Sequence, residues 1–349
     1  MSRKNRKFIA LTTVLVIGAV MAMTGCLAKK QQSYYIYEAF DTETKLQFYA
    51  TDSDAAKIYE AFETELFRYH ELFDIYSDYD GVNNIKTIND QAGIAPVTVD
   101  AAIIDVLKLG QEIYEYSDGS TNIAMGSVLS IWHEYRLEGM EDTENAKLPP
   151  MADLEAAAEH MDMGQMIIDE ANSTVYLADS DMSLDLGAVA KGYAAQKLAQ
   201  LLADAGVDNG LLDLGGTIVA IGDKPDGSSW RLALQNPDLT SEETYIHVIC
   251  LEDMSIVTSG DYQRYYTVDG VQYHHIIDSD TLMPSAYFSA VSVISDDAGM
   301  ADALSTALFS MDEAEGRAMV ERMDNVEVLW VYKDGSQSMT DGFKKYIEQ

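Results

Sequence analysis

Twelve residues, SLDLGAVAKGYA at positions 183–194, constrain this chain most. They read as the end of a strand running into a helix, with Asp185, Gly187, Lys191 and Gly192 inside eight residues. Residues 195–206 continue with helix-favouring side chains, and Gly206 stands where a helix C-terminal cap falls. The first turn of such a helix offers free N–H groups and a partial positive charge, which suit phosphate. Glycine lets a ligand approach the backbone, Lys191 adds a full charge, and Asp185 offers an acceptor. The bland alternative is a buried strand–helix turn with Lys191 in solvent. Spacing alone favours that alternative, because short glycine-containing turns are common.

The chain has 349 residues, 47% of them hydrophobic, enough for a sizeable core in one or two domains. Its net charge of −35 argues against a nucleic-acid partner. It suits an acidic protein facing the outside of a cell, or charge kept for solubility alone.

Residues 1–26 are of another kind. Arg3, Lys4, Arg6 and Lys7 form a basic start, an apolar run covers 8–23, and the segment ends in MTGC at 23–26. A membrane span needs about 20 apolar residues, so the run is short for one. The pattern is that of a secretory signal with a lipobox-like end: residues 1–25 are removed and Cys26 becomes the lipidated N-terminus. Met23 is an unusual residue at its position, and an uncleaved anchor is the alternative. Either way the bulk of the chain lies outside the cytoplasm, held at the cell membrane. Residues 26–33 read as a tether. With Cys26 lipidated, Cys250 is left alone and no internal disulfide is expected.

Residues 34–50 read as a β-hairpin. A helix capped by Ser53 or Asp54 should run to about Phe73, with Ile58, Phe62, Leu66 and Tyr69 on one face. Asp100 caps a second helix, over 101–117. A loop at 121–126 becomes a helix toward Trp132, and His133 there reads as a packed or exposed helix residue. Residues 136–150 read as a charged surface insertion, and 153–161 as a short helix. Gly215 and Gly216 interrupt a buried strand and suggest a bulge or close backbone approach. Asp269-Gly270 marks a hairpin between strands 264–268 and 271–277. Helices over 299–309 and 312–323 precede a last strand over 326–332. No strict βαβ alternation is present, so the expected class is α+β, with largely antiparallel sheets and packed helices.

Three more clusters carry chemistry. In HHIID at 274–278, either His274 or His275 can act as a base and Asp278 can orient one of them, although neighbours on a strand face opposite ways. Two half-buried strand histidines are the equal alternative. In ADALST at 301–306, Asp302 and Thr306 share a helix face and offer hard oxygens suited to Mg²⁺. A helix-start carboxylate with a buried threonine is the alternative. TSGDY at 258–262 reads as a polar turn. Together these describe phosphoanhydride chemistry better than proteolysis; GxSxG, HExxH and GxxxxGK[ST] are all missing.

In this order, NIAMG (122–126), DLGAVAKGYA (185–194), DLGG (213–216), TSGDY, HHIID and ADALST resemble the FAD:protein FMN transferases, the ApbE family of flavin transferases. Each piece is weak alone; six in the family's order are specific. The resemblance spans 34–345 and implies one catalytic domain, possible in two lobes, with a T-fold-like architecture. It implies cleavage of the FAD pyrophosphate, transfer of FMN through a phosphoester bond to a Ser or Thr hydroxyl of a target protein, and release of AMP. The implied partners are FAD, an extracytoplasmic or membrane redox protein as acceptor, and the membrane itself. Mg²⁺ is implied on the main-chain oxygen of Ala188 and on Asp302 and Thr306. FAD contacts are implied at Asp41, Tyr76, Asn122, Ile123, Ala124, Asp185, Lys191 and Ile276. His275, with His274 second, is the implied base. The chain departs from the family's usual residues at Asn122, Asp213, Thr217 and 279–282. An FAD pyrophosphatase and an FAD-binding lipoprotein without turnover are the competing readings.

Overall fold

The computed structural model describes residues 29–348. The signal segment 1–25 and Cys26 lie outside the described residues. The segment read as tether gives way earlier than expected, because strand β1 (Lys30–Ile36) already begins at Lys30. It pairs antiparallel with β2 (Thr44–Ala50), which makes the expected hairpin.

Helix α1 (Asp52–Phe73) buries Ile58, Phe62, Leu66 and Tyr69 as their spacing requires. Its N-cap is Thr51, whose hydroxyl accepts the Asp54 N–H, rather than Ser53 or Asp54. Short elements follow: α2 (Ile85–Asp90), β3 (Val97–Thr98) and α3 (Ala101–Tyr116), the last capped by Asp100. Helix α4 (Gly126–Glu141) runs nine residues beyond Trp132 and takes in the start of the segment read as an insertion. After α5 (Met151–Ala158) come β4 (Met166–Asp169) and β5 (Thr174–Leu177), which pair with each other, β5 pairing also with β3.

The 183–194 stretch then leads into α6 (Ala190–Asp204), closed by Gly206 at φ +84°. Strands β6 (Gly210–Leu214) and β7 (Thr217–Ile221) follow, with Leu214 opposite Thr217. Gly215 and Gly216, at φ +59° and +91°, are therefore the two central residues of a tight hairpin turn, not a bulge within one strand. Next come β8 (Trp230–Gln235), β9 (Tyr245–Leu251), β10 (Ser255–Gly260), β11 (Tyr265–Val268), β12 (Val271–His274) and β13 (Phe288–Ser295). Helices α7 (Ala298–Phe309) and α8 (Glu313–Val320) and strands β14 (Glu327–Tyr332) and β15 (Gln337–Met339) complete the order.

One eight-stranded sheet runs β1-β2-β6-β7-β10-β13-β14-β15, with each neighbouring pair antiparallel. Alternation along its strands feeds two cores. Phe48, Val291, Val293 and Trp330 pack toward α1, α3, α6 and α7. Ala290, Ile294, Leu329 and Val331 pack the other way, against the β8–β9 ribbon and Phe343. A third cluster joins Val128 and Trp132 of α4 to Tyr266 of β11 and to Ile277 and Leu282. It holds the β11–β12 hairpin against α4. The architecture is thus α+β with antiparallel sheets, as expected.

Candidate active site

A cavity of ≈ 720 Å³ is lined from segments that are far apart in sequence, by Tyr76, Asp185, Lys191, Thr258, His275 and Asp302 among others. The 183–189 stretch forms its floor and is fixed by the 122–126 loop. Gly126 N donates to Ser183 O at 2.9 Å, and Asp185 N to Ile123 O at 2.9 Å. A Cβ on Gly126 would stand 2.5 Å from Ser183 O, so only glycine allows the two segments to meet. Ile123 and Ala124 are buried beneath this crossing and do not line the cavity, contrary to their implied contact with FAD. Asn122 does line it; its Oδ1 accepts the Ala124 N–H and its amide donates to Met161 O.

Asp185 Oδ1 accepts the Gly187 N–H at 2.8 Å and so turns the chain into α6. Burial pushes this carboxyl above the usual carboxylate range. Helix α6 then crosses α7 at close range. A Cβ on Gly192 would lie 2.4 Å from Asp302 Cβ and 2.5 Å from Ala298 O. That approach lets Gly192 N donate to Asp302 Oδ2 at 2.7 Å, and Lys191 Nζ reach both carboxylate oxygens at 3.2 and 3.3 Å. Asp302 is only 4% exposed, so its position demands positive charge. Thr306 and Ala188 also line the cavity. The donor set is a carboxylate, a hydroxyl and a main-chain carbonyl, all hard oxygen, and it fits Mg²⁺. A separate group, His160, Asp179 and Asp181, has metal-ligand spacing among the described residues, but none of its members lines the cavity.

The histidine pair separates as alternation predicts. His274 ends β12 and is buried edge-on against Phe309. Its Nε2 lies 2.8 Å from Ser285 O and its Nδ1 3.3 Å from the donating Ile276 N–H, so both nitrogens are engaged and neither can serve as base. Asp278 is also withdrawn: its Oδ1 accepts the N–H groups of Asp280 and Thr281 and staples a turn. Neither residue lines the cavity, so the roles read for them in the sequence are not available. His275 does line it. Its N–H donates to Arg264 O at 3.1 Å, and its Nδ1 is buried without a partner. Burial, then the charges of Arg264 and Arg136, push its imidazole down to about 3. The ring is therefore neutral and able to accept a proton, and it becomes a stronger base once a bound anion offsets the two guanidinium charges. Asp41, Tyr76 and Ile276 line the same space.

Arg136 and Arg264 of this wall were not singled out in the sequence, and His133 read only as a helix residue. Tyr76 stacks on His133 at 5.2 Å and 30°. Arg136 Nη2 lies 2.9 Å from His133 Nδ1. Their i, i+3 spacing in α4 was the available signal, hidden because 136–150 read as an insertion. TSGDY also differs from its reading as a turn: Thr258 to Gly260 are the end of β10, and Ser259 Oγ bonds Ser305 Oγ at 2.8 Å, tying the sheet to α7.

The ApbE family model matches residues 40–330. An FAD:protein FMN transferase of Treponema pallidum is 33% identical over 264 residues, covering 72% of this chain and 71% of its own. That of Escherichia coli K12 is 26% identical over 352 residues, covering 97% and 96%. The solved ApbE protein of Thermotoga maritima has a TM-score of 0.80 at 28% identity, covering 92% of this chain and all of its own. The flavin transferase ApbE of Vibrio cholerae shares the fold, with a TM-score of 0.77 at 23% identity. With its ordered motifs converging on one cavity and the match spanning that cavity's walls, the chain belongs to the ApbE family.

Proposed function

We propose that this chain is an FAD:protein FMN transferase that moves FMN from FAD to a Ser or Thr hydroxyl of a target protein and releases AMP. The observation that carries the reading is one cavity lined both by the neutral His275 and by the oxygen set of Asp302, Thr306 and Ala188. In the reaction the acceptor oxygen bonds the flavin-side phosphorus and the P–O bond to AMP breaks. The hydroxyl proton passes to the imidazole of His275, and AMP leaves with the bridging oxygen. A hydroxyl is a poor nucleophile until a base takes its proton, and His275 supplies that base. Asp302, Thr306 and Ala188 would hold Mg²⁺, which when bound supplies charge neutralisation at the pyrophosphate. Asp185, Asn122 and Tyr76 orient the dinucleotide.

The basic start, apolar run and MTGC of residues 1–26 support a location outside the cytoplasm, with the chain lipid-anchored through Cys26 at the outer face of the cell membrane. The acceptor is then a membrane or extracytoplasmic redox protein. Purified protein, FAD, Mg²⁺ and a flavin-acceptor domain should give an acceptor carrying covalent FMN by mass spectrometry, with one AMP per transfer. Unlabelled acceptor at every Mg²⁺ concentration would refute the reading. FMN and AMP released equally without acceptor would make the protein a pyrophosphatase instead.

A further inference from the structure

Carboxylates outnumber lysines and arginines 58 to 23 in this chain, so a cation without a carboxylate is informative. Among the described residues, Arg68, Arg231 and Arg317 each hold a carboxylate, and Arg322 donates to Tyr116 O. Arg136 and Arg264 hold none, and both line the cavity. The cavity's remaining full cation, Lys191, is taken by Asp302.

Both arginines line the same cavity as the proposed base. Arg264 is tied to it through the backbone, its carbonyl accepting the main-chain N–H of His275. Arg136 bonds the ring of His133, on which Tyr76 stacks. The field of Arg264 adds to burial in holding Arg136 below its usual value, so the two cations repel each other. Such a pair is relieved by a bound anion, and a planar guanidinium fork matches phosphate oxygens. A reacting phosphorus must lie within reach of the hydroxyl that His275 deprotonates, which puts the phosphate that stays with the flavin on this side. The stacked Tyr76–His133 pair, one helical turn from Arg136, offers an aromatic face for the flavin.

We propose that Arg136 and Arg264 form a guanidinium clamp on the flavin-side phosphate of FAD, the phosphate that is transferred and not the one that leaves with AMP. The inference rests on the transferase reading above. The clamp sets which P–O bond faces the base, and it stays on the same phosphate after AMP departs.

The test is direct binding of FMN, AMP and riboflavin to the whole soluble chain, by calorimetry or flavin fluorescence, in wild type, Arg264→Gln, Arg136→Gln and Arg136→Lys. Arg264 is exposed, so its variant tests the clamp even if Arg136→Gln misfolds. Each Gln variant should weaken FMN binding at least tenfold and leave AMP and riboflavin within twofold, with Arg136→Lys intermediate. Unchanged FMN binding, an equal loss for AMP, or a parallel loss for riboflavin would each overturn the clamp. Wild type that binds FMN but labels no acceptor would overturn the transferase reading instead, without touching the clamp result.

Discussion

Lys191 Nζ stands 3.2 Å from Oδ1 and 3.3 Å from Oδ2 of Asp302, so the carboxylate proposed to hold a divalent cation is already matched by an internal one. A lysine at a buried carboxylate competes with a metal for it and is freed toward the substrate once the metal binds. Removing one member of a buried pair leaves the other uncompensated, at about 3–5 kcal/mol. Lys191→Met should therefore melt earlier without metal and gain more in Tm from Mg²⁺ than wild type does. Equal Mg²⁺-induced gains in the two proteins would show that Lys191 and metal do not share Asp302.

Asp302→Asn should lose the Mg²⁺-induced rise in Tm and lower the transfer rate by about 10²-fold or more. FAD binding should persist through Asp185, Asn122 and Tyr76. Calorimetry with FAD beside a steady-state assay separates the two effects. A variant with full activity would remove Asp302 from the chemistry.

His275→Gln should lower kcat by about 10²–10⁴-fold with FAD affinity little changed. Because the folded-state value is depressed to about 3, the free enzyme should keep its base neutral through mildly acidic pH. The acid limb of kcat/KM should fall well below the ordinary histidine value of 6.5. The same group contributes stability that is full above 6.5 and is lost as pH falls toward 3, since the unfolded chain binds the proton first. The His275→Gln variant should lose that part of the acid-side slope in a pH series of melts.

Gly192→Ala places a methyl group into Asp302 Cβ and Ala298 O, at 2.4 and 2.5 Å. Both contacts are to closely packed atoms that cannot swing aside. The substitution should destabilise the fold by about 1–3 kcal/mol. By prising α6 from α7 it should also raise the Mg²⁺ concentration needed for half-maximal transfer. Denaturant midpoints and a metal titration read the two effects.

Cys26→Ala should move the protein from the membrane fraction to the soluble fraction, or leave it as an unprocessed precursor, when cells are fractionated and probed. Continued membrane association of a processed Cys26→Ala chain would rule out lipidation as the anchor.

The sequence by itself determined the class of fold and most of one wall of the site. Helix periodicity placed α1 and its buried face, Asp269-Gly270 placed the β11–β12 hairpin, and the spacing of Asp302 and Thr306 put two oxygen donors on one face of α7. These are local properties, written within a few residues of chain. Contacts between segments decided the rest. Which histidine is free depended on Ser285 and Phe309, which occupy His274 and leave His275 to the cavity. That Ile123 serves through its carbonyl depended on residues 183–185 crossing the 122–126 loop. Arg136 and Arg264 came to line one cavity only when the third core cluster closed α4 against the hairpin. No local pattern encodes those meetings, because each depends on where distant side chains find space and which polar groups are left without partners once the core has packed.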